Sequence, residues 1–310
     1  MWLSNTVLIA VLGADLVLAV ALVTRHSART VSDVQVFDAV PETASPTPSA
    51  SVSVAPPAPA APRAVLAATA PDGAALRAST PSRCDATPPA TVEISAGSGR
   101  SWTVVDSPAP VIVRVTLTSA TDGWLIGSDS ACRTYRYYGT TDGGRSWQPS
   151  ADTAGYWYPL AGRAETVHTP IGNRDLPCPA GTTSVTLTPR SVPEAEATCV
   201  GPTTSRLLRT TDSGDTWTPV PQPRVRATAV TWPTPTAGFL AAEPDAQCSG
   251  IPVWRTTDGQ RWSRVGCGSI AGLAALSFSD ERAGVMVVAG SVGLRTLLTA
   301  DGGRTWRPAV

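Results

Sequence analysis

Hydrophobic and polar positions divide the chain into three stretches of different character. Residues 6–24, TVLIAVLGADLVLAVALVT, are apolar except for Thr6, Asp15 and Thr24. At a rise of ~1.5 Å per residue this run just covers a hydrocarbon core of ~30 Å, and it predicts one N-terminal transmembrane helix. Asp15 costs roughly 2.5–3.5 kcal/mol on insertion scales, which the surrounding leucines and valines outweigh. Residues 40–63, VPETASPTPSASVSVAPPAPAAPR, hold no periodic apolar face. Proline there removes backbone donors and favours extended polyproline II, so the segment predicts a semi-rigid tether. Beyond it the pattern becomes short alternating runs. VIVRVTLTS, DGWLIGS, TYRYYGT and SWQP, within 111–149, read as four successive strands parted by turns. GLAALSFS, AGVMVVAG, LRTLLTA and TWRPAV repeat the plan at the end of the chain, and TAGFLAAEP takes the place of DGWLIGS in between. The organisation expected is therefore an anchor at 1–24, a Pro/Ala/Ser/Thr-rich linker at 25–63 and an all-β domain at 64–310.

Five tryptophans mark a repeat. Trp102, Trp147, Trp217, Trp262 and Trp306 are spaced by 45, 70, 45 and 44 residues. Self-similarity at ~40–50 residues, made of short strands without helical periodicity, predicts a β-propeller of four-stranded blades. Before each tryptophan stands a turn-like cluster. Thr140, Asp142, Gly144, Trp147; Thr210, Asp212, Gly214, Trp217; and Thr299, Asp301, Gly303, Trp306 share one spacing. Thr256, Asp258, Gly259, Trp262 is one residue shorter, and SAGSGRSW from Ser95 has Gly97 in place of the acid. This pattern, Ser/Thr-x-Asp-x-Gly-x-x-Trp, resembles the Asp-box or BNR repeat of sialidases, sortilin-type receptors and propeller-type photosystem II assembly factors. The resemblance covers roughly residues 64–310. It implies a propeller whose boxes lie at the periphery, away from the central cavity. Five boxes predict about five blades. The long interval between Trp147 and Trp217 reads as an insertion in the third repeat near 155–180, with a sixth, box-less blade as the alternative.

A repeated acid beside glycines invites a catalytic or calcium reading, but turn chemistry accounts for each residue. The carboxylate accepts hydrogen bonds from the amides of its own turn, and glycine supplies φ > 0. Threonine bonds across the loop, and tryptophan buries ~150–250 Å² at the start of the outgoing strand. One carboxylate per turn is too few for calcium. The boxes are read as structural, with no metal and no cofactor expected.

Composition narrows the compartment and the partners. Net charge is zero and every basic side chain other than the two histidines is arginine, so there is no electrostatic case for nucleic acid. The histidines, His26 and His168, are too few for a multi-histidine metal site. Cys84, Cys132, Cys178, Cys199, Cys248 and Cys267 are an even, dispersed set without a C-x-x-C pair. That argues against zinc and for disulfides in an extracytoplasmic domain. Fifteen pairings are possible for six cysteines; sequence neighbours, 84 with 132, 178 with 199 and 248 with 267, are preferred. The flanks of residues 6–24 disagree with this placement. Arg25, His26 and Arg29 follow the span and nothing basic precedes it, which by the positive-inside rule holds the C-terminal side in the cytoplasm. Cysteine usage and the tether point outward, and the expectation sides with them; a short basic leader upstream would reconcile the two. Ala19-Val20-Ala21 leaves a cleaved signal peptide as the rival, without the charged leader such peptides carry.

All five tyrosines, Tyr135, Tyr137, Tyr138, Tyr156 and Tyr158, fall within 24 residues, with Trp157 among them and His168 following. Aromatic clusters are favoured at binding surfaces, and propellers bind through loops and the central channel. Tyr135, Tyr137, Tyr156, Trp157, Tyr158 and His168 are the candidate site for a protein or glycan partner. The alternative is that Tyr135 and Tyr137 pack a sheet face while YWYP staples the insertion down. Sialidase chemistry needs an arginine triad, a tyrosine nucleophile with a glutamate and an aspartate acid/base. The Phe/Tyr-Arg-Ile-Pro motif that marks the first arginine in that family is missing. Glu165, Glu194, Glu196 and Glu243 leave a two-carboxylate glycosidase open, whereas no G-x-S-x-G elbow or P-loop occurs. The sequence thus favours a membrane-anchored extracytoplasmic propeller that binds or assembles proteins without catalysis. A secreted or anchored glycan-binding protein or sialidase-like glycoside hydrolase is the alternative.

Overall fold

The computed structural model describes residues 63–309, apart from 98, 151, 152, 154, 291 and 292. The expected membrane helix and the tether up to residue 62 lie outside the described residues. Six antiparallel sheets follow one another along the chain, each built from consecutive strands. Blade I holds β1 (Arg63–Thr69), β2 (Ala75–Pro81), β3 (Thr91–Ser95) and β4 (Thr103–Val105). Blade II holds β5 (Val111–Leu117), β6 (Gly123–Ser128), β7 (Tyr135–Thr140) and β8 (Gln148–Ser150). Blade III has three strands among the described residues, β9 (Tyr158–Pro159), β10 (Thr166–Thr169) and β11 (Gly172–Asp175). Blade IV holds β12 (Ser184–Pro189), β13 (Ala195–Val200), β14 (Ser205–Thr210) and β15 (Thr218–Pro219). Blade V holds β16 (Ala227–Thr231), β17 (Gly238–Ala242), β18 (Ile251–Thr256) and β19 (Ser263–Gly268). Blade VI holds β20 (Leu273–Phe278), β21 (Gly284–Gly290), β22 (Gly293–Thr299) and β23 (Arg307–Pro308).

The molecule is a six-bladed propeller, not the five-bladed one expected. The stretch read as an insertion in the third repeat is a blade of its own. Its place in the ring follows from the innermost strands: β1 packs on β5 and β20, β16 on β12 and β20, and β9 on β5 and β12. Among the described residues blade I pairs only with itself and blade VI likewise, so those residues close the ring by packing, with no strand shared across the joint.

Blade III carries strands two to four of the usual plan. In every blade with a repeated turn, that turn joins strands three and four, and its glycine presses on strand three of the preceding blade. A Cβ on Gly144 would lie 3.0 Å from Ile94 of β3, one on Gly303 3.1 Å from Val253 of β18, and one on Gly214 2.8 Å from Thr169 of β10. β10 is therefore a third strand. Thr169 is fully buried and its Oγ1 receives the amide of Ile171, as the threonines of the repeated turns receive theirs. Thr169-Pro170-Ile171-Gly172 is the equivalent turn without its acid and tryptophan.

The repeated turns are alike in their bonding. Thr140 Oγ1 donates to Asp142 Oδ1 (2.9 Å) and accepts the amide of Gly144 (2.8 Å), while Ser146 donates its amide and hydroxyl to the same carboxylate. Thr210 and Asp212 repeat the set with Gly214 and Thr216, and Thr299 and Asp301 with Gly303 and Thr305. In the shorter turn Asp258 takes the amides of Gln260 and Arg261 and, among the described residues, has no hydroxyl donor beyond Thr256. Hydrogen bonds to the ionised form hold these acids low. Asp142 and Asp212 sit at about 2, chiefly through the Ser146 and Thr216 hydroxyls; Asp301 sits at about 2, chiefly through the Thr305 amide. Each carboxylate is spent on its own turn. Gly144, Gly214 and Gly303 have φ of 89°, 92° and 80°, so the conformation and the close approach both demand glycine.

Apolar clusters lie between blades. Leu76 and Val92 meet Ile112 and Leu125 at the I/II joint. Val113 and Ile126 meet Tyr158 and Leu160 at II/III, and Val167 meets Ala197 and Leu208 at III/IV. Leu207 meets Val230 and Leu240 at IV/V, and Phe239 stacks on Phe278 at V/VI with ring centroids 3.7 Å apart. Each fully buried side chain of this size contributes ~1.5–3 kcal/mol. Among the described residues no such cluster bridges VI and I. There Arg77 pairs with Glu93 and donates to Thr296 Oγ1 across the joint.

Antiparallel order sends the strand 1–2 and 3–4 turns to one face of the ring and the remaining connections to the other. All repeated turns share the first face. Cys84–Cys132, Cys178–Cys199 and Cys248–Cys267 are paired, as preferred from sequence order, and all three lie toward the second. The first ties blade I to blade II and the second ties III to IV.

Candidate functional site

The central channel is walled by the innermost strands and encloses about 560 Å³. Its lining is small or apolar: Ala67, Val115, Pro159, Leu187, Val230 and Ala275 represent the six blades. Arg114 is its one charged residue, and no carboxylate lines it among the described residues. Arg114 Nη1 donates to the carbonyl of Trp157 (2.7 Å), and its guanidinium lies 4.5 Å from the ring centroid of Trp124. Withdrawal from water lowers it to about 10, so it stays charged at neutral pH.

Tyr135, Tyr137, Tyr156, Tyr158 and His168, singled out in the sequence, gather with Trp124 where blade II faces blade III. They form two groups. Trp124, Tyr137 and Tyr156 make a half-buried triangle with centroid distances of 5.7, 5.3 and 5.2 Å, within the range of favourable ring pairs. Tyr135, Tyr158 and His168 lie toward the disulfide face. Tyr158 and His168 stack at 4.4 Å with 8° between planes, and Tyr135 sits 5.1 Å from Tyr158. These three line a cleft of about 640 Å³ together with Thr153, Arg133, Arg163 and Asn173, beside the Cys84–Cys132 bridge. The strand 2–3 loops of blades I, II and III supply its rim.

Local chemistry fixes the rings. His168 Nδ1 lies 2.9 Å from the carbonyl of Tyr156; a carbonyl only accepts, so Nδ1 carries a proton. Tyr135 Oη accepts the amide of Ala161 (2.9 Å), and Tyr158 Oη donates to Thr153. Burial raises the pKa of both phenols, and of Tyr137 as well. None is primed as a nucleophile. No carboxylate lines the cleft among the described residues.

Trp157 and Tyr138 stand apart from both groups. Trp157 is buried toward blade IV, where its indole N–H reaches the carbonyl of Val192 (3.0 Å) and its ring meets Trp217 edge-on at 6.0 Å. Tyr138 packs on the I/II cluster. Trp124, Arg133, Arg163 and Asn173 escaped the sequence reading. Trp124 carried a usable signal, being a tryptophan that opens a second strand, outside the repeated turns. Of the unassigned glutamates, Glu196 is buried in an ion pair with Arg190 and Arg209, and Glu243 pairs with Arg226.

No protein-family model matches the chain, and no curated protein matches it. Solved structures do. The GH74 xyloglucanase from Xanthomonas campestris is 20% identical over 78% of this chain, with a TM-score of 0.32, and the chain spans only 38% of its length. The Aleuria aurantia lectin is 9% identical, covers 79% of this chain and 94% of its own, and has a TM-score of 0.48. The β-propeller domain of the trilobed protease from Pyrococcus furiosus is 7% identical, with 76% and 80% covered and a TM-score of 0.39. The chain is similar to propellers in fold alone.

Proposed function

We propose that the chain is a membrane-anchored Asp-box propeller, held outside the cytoplasm, that binds a protein partner through the blade II–III cleft and catalyses nothing. One observation carries the reading. The channel holds a single guanidinium and no carboxylate, and the cleft holds phenols raised by burial and again no carboxylate, among the described residues. Glycosyl transfer to water calls for an acid and a base or nucleophile at one place. What the cleft offers instead is rigid aromatic surface braced by a disulfide, the kind of surface that dominates binding energy. Three disulfides fit an oxidising compartment, and residues 6–24 have the length and polarity of an anchor.

A glycan partner is the second reading, favoured by the half-buried His168 ring, stacked on the buried Tyr158, beside Asn173 and two arginines. The two separate in one experiment. The full chain and its Tyr158→Ala and His168→Ala variants are offered to a cell-envelope extract, a glycan array and a fluorogenic glycoside panel. Specific capture of one protein that both substitutions abolish, with a blank array, supports the reading. Array binding lost in the variants supports the glycan. Turnover abolished by a single carboxylate substitution refutes both.

A further inference from the structure

The three disulfides differ in what can reach them and in what can leave. Thiol–disulfide exchange needs one sulfur open to an attacking thiolate and another that departs as a thiolate. Cys199 and Cys248 are buried, at 1% and 2% exposure, while their partners Cys178 and Cys267 are half-buried and exposed. Attack on either accessible partner would expel a thiolate among apolar side chains, which disfavours it. In Cys84–Cys132 both cysteines are only half-buried, and both line the cleft of about 640 Å³. Each sulfur of this bridge can be approached, and each can leave into water.

The surroundings give the exchange a direction. Arg133 follows Cys132 in the chain and lines the cleft with it, as does Arg163. Asp129, the acid of the same loop, spends its carboxylate on the amides of Arg133 and Thr134. Asp85 follows Cys84 and opposes negative charge there. A thiolate is thus better tolerated at Cys132, which makes Cys84 the sulfur to be attacked. A Cβ on Gly162 would stand 3.2 Å from Cys84 Sγ, so a glycine at that place leaves the sulfur open to the cleft. Asp85 and Cys132 have φ of 57° and 54°, a left-handed backbone that disfavours residues with a Cβ and that can relax once the bridge opens.

We infer that Cys84–Cys132 is a thiol–disulfide exchange site whose substrate is a dithiol, and that its opening unties the cleft. One thiolate of the dithiol attacks Cys84 Sγ, the bridge breaks, and Cys132 leaves as a thiolate that water protonates. The second thiolate attacks the mixed disulfide and releases Cys84. The protein ends with two thiols, having gained two electrons and two protons, and the dithiol is oxidised to its own disulfide. Cys84 Sγ lies 3.5 Å from the Ala161 carbonyl oxygen, so the strand 2–3 loops of blades I, II and III all meet at this bridge. With it open, the backbone bond from the Asp85 amide to the Ser130 carbonyl (2.6 Å) still links the first two among the described residues. Control of partner binding by this opening rests on the cleft reading above; the exchange chemistry does not.

The test exposes the folded full chain to dithiothreitol or to glutathione, quenches with iodoacetamide and maps every cysteine by peptide mass spectrometry. With dithiothreitol, Cys84–Cys132 should open at least about tenfold faster than the other two bridges. With the monothiol glutathione, the early mixed disulfide should sit on Cys84 and the alkyl group on Cys132. Arg133→Ser should slow opening by about threefold, the scale of one nearby charge in water, and Arg133→Lys should restore it. Hydrogen exchange at the Ala161 amide, which donates to Tyr135 Oη, should rise in the reduced chain. Equally fast opening of Cys178–Cys199 or Cys248–Cys267 overturns the inference, as does opening that requires enough denaturant to unfold the ring. Glutathione on Cys132 with an unchanged rate in Arg133→Ser overturns the direction assigned. Fast opening with Ala161 unchanged refutes the untying of the cleft. Mass mapping needs no partner, so failure here is distinct from failure of the binding reading.

Discussion

The repeated turn displays its aspartate, yet the structure makes its threonine the costlier residue to lose. In the last blade Thr299 is 6% exposed, and its Oγ1 accepts the amide of Gly303 at 2.9 Å. That amide is buried, so removing the hydroxyl leaves a donor that water cannot reach. Asp301 accepts from the Thr299 hydroxyl and from the amide and hydroxyl of Thr305. The Thr305 donors are exposed and can turn to solvent. A buried unsatisfied donor costs ~1–3 kcal/mol, whereas a hydrogen bond exchanged for water costs ~0.5–1.5. Thr299→Val, which keeps the shape, also forfeits the bond to Asp301 and should cost about 2–3 kcal/mol. Asp301→Ala should cost about 1–2 kcal/mol, at the scale of a lost cap or turn bond. In a domain of this size each kcal/mol moves Tm by ~2–4 °C. Urea unfolding of the full chain, followed by tryptophan fluorescence, reads the difference. An Asp301→Ala variant less stable than Thr299→Val refutes the argument. Unchanged stability with lost partner binding in Asp301→Ala would return the turns to the functional surface.

Asp142, Asp212 and Asp301 are held at about 2 in the folded protein, below the ~3.9 of an unfolded chain. The stability they lend is therefore full above pH ~4 and is lost as pH falls toward 2; pH-dependent unfolding should show that loss, and Asp301→Asn should shrink it. Removing the Cys84–Cys132 bridge, which closes 48 residues, should cost more than removing Cys178–Cys199 or Cys248–Cys267, which close 21 and 19. Chain entropy gives ~4 kcal/mol against ~3, and urea midpoints of the three serine-pair variants test the order. Ser213 takes the first-glycine position of its turn with φ of 61°. Ser213→Gly should raise stability by ~0.5–1 kcal/mol by relieving a left-handed conformation, and a lower urea midpoint would contradict it.

Five blades were legible because their information is local. Alternation marks each strand, and Thr-x-Asp-x-Gly fixes each turn whatever lies across the joint. Blade III was hidden because its signals are tertiary. Tyr158–Pro159 is too short to alternate, and Thr169-Pro170-Ile171-Gly172 keeps the threonine and the glycine but neither the acid nor the tryptophan. Thr169 looks like any loop threonine until Gly214 is seen to press on it. The aromatic cluster was legible as a cluster and not as a geometry. Tyr156, Trp157 and Tyr158 are adjacent in sequence, yet they face the Trp124 triangle, blade IV and the cleft respectively, because the chain enters β9 from an irregular segment. Arg133, Arg163 and Asn173 carried no signal, since loops from separate blades meet only once the ring is closed.

The irregular blade and the candidate site are one physical fact. A full blade III would set a fourth strand against blade II and bury Trp124, Tyr137 and Tyr156 as Leu76 and Val92 are buried at the next joint. The three strands among the described residues leave those rings half-covered, and Arg114 turns to the carbonyl of Trp157, where an acid would otherwise be its natural partner. Half-covered aromatic rings cost free energy in water, so the Cys84–Cys132 bridge is best understood as bracing an edge that packing alone does not hold. If so, Cys84→Ser with Cys132→Ser should loosen the cleft before the ring. Hydrogen exchange at Ala161 and Arg163, whose amides bond to Tyr135 Oη and Leu160 O, should rise ahead of exchange in β13 and β17. Uniform exchange across both would show that the short blade is held by its neighbours, and that the bridge has no special hold on the cleft.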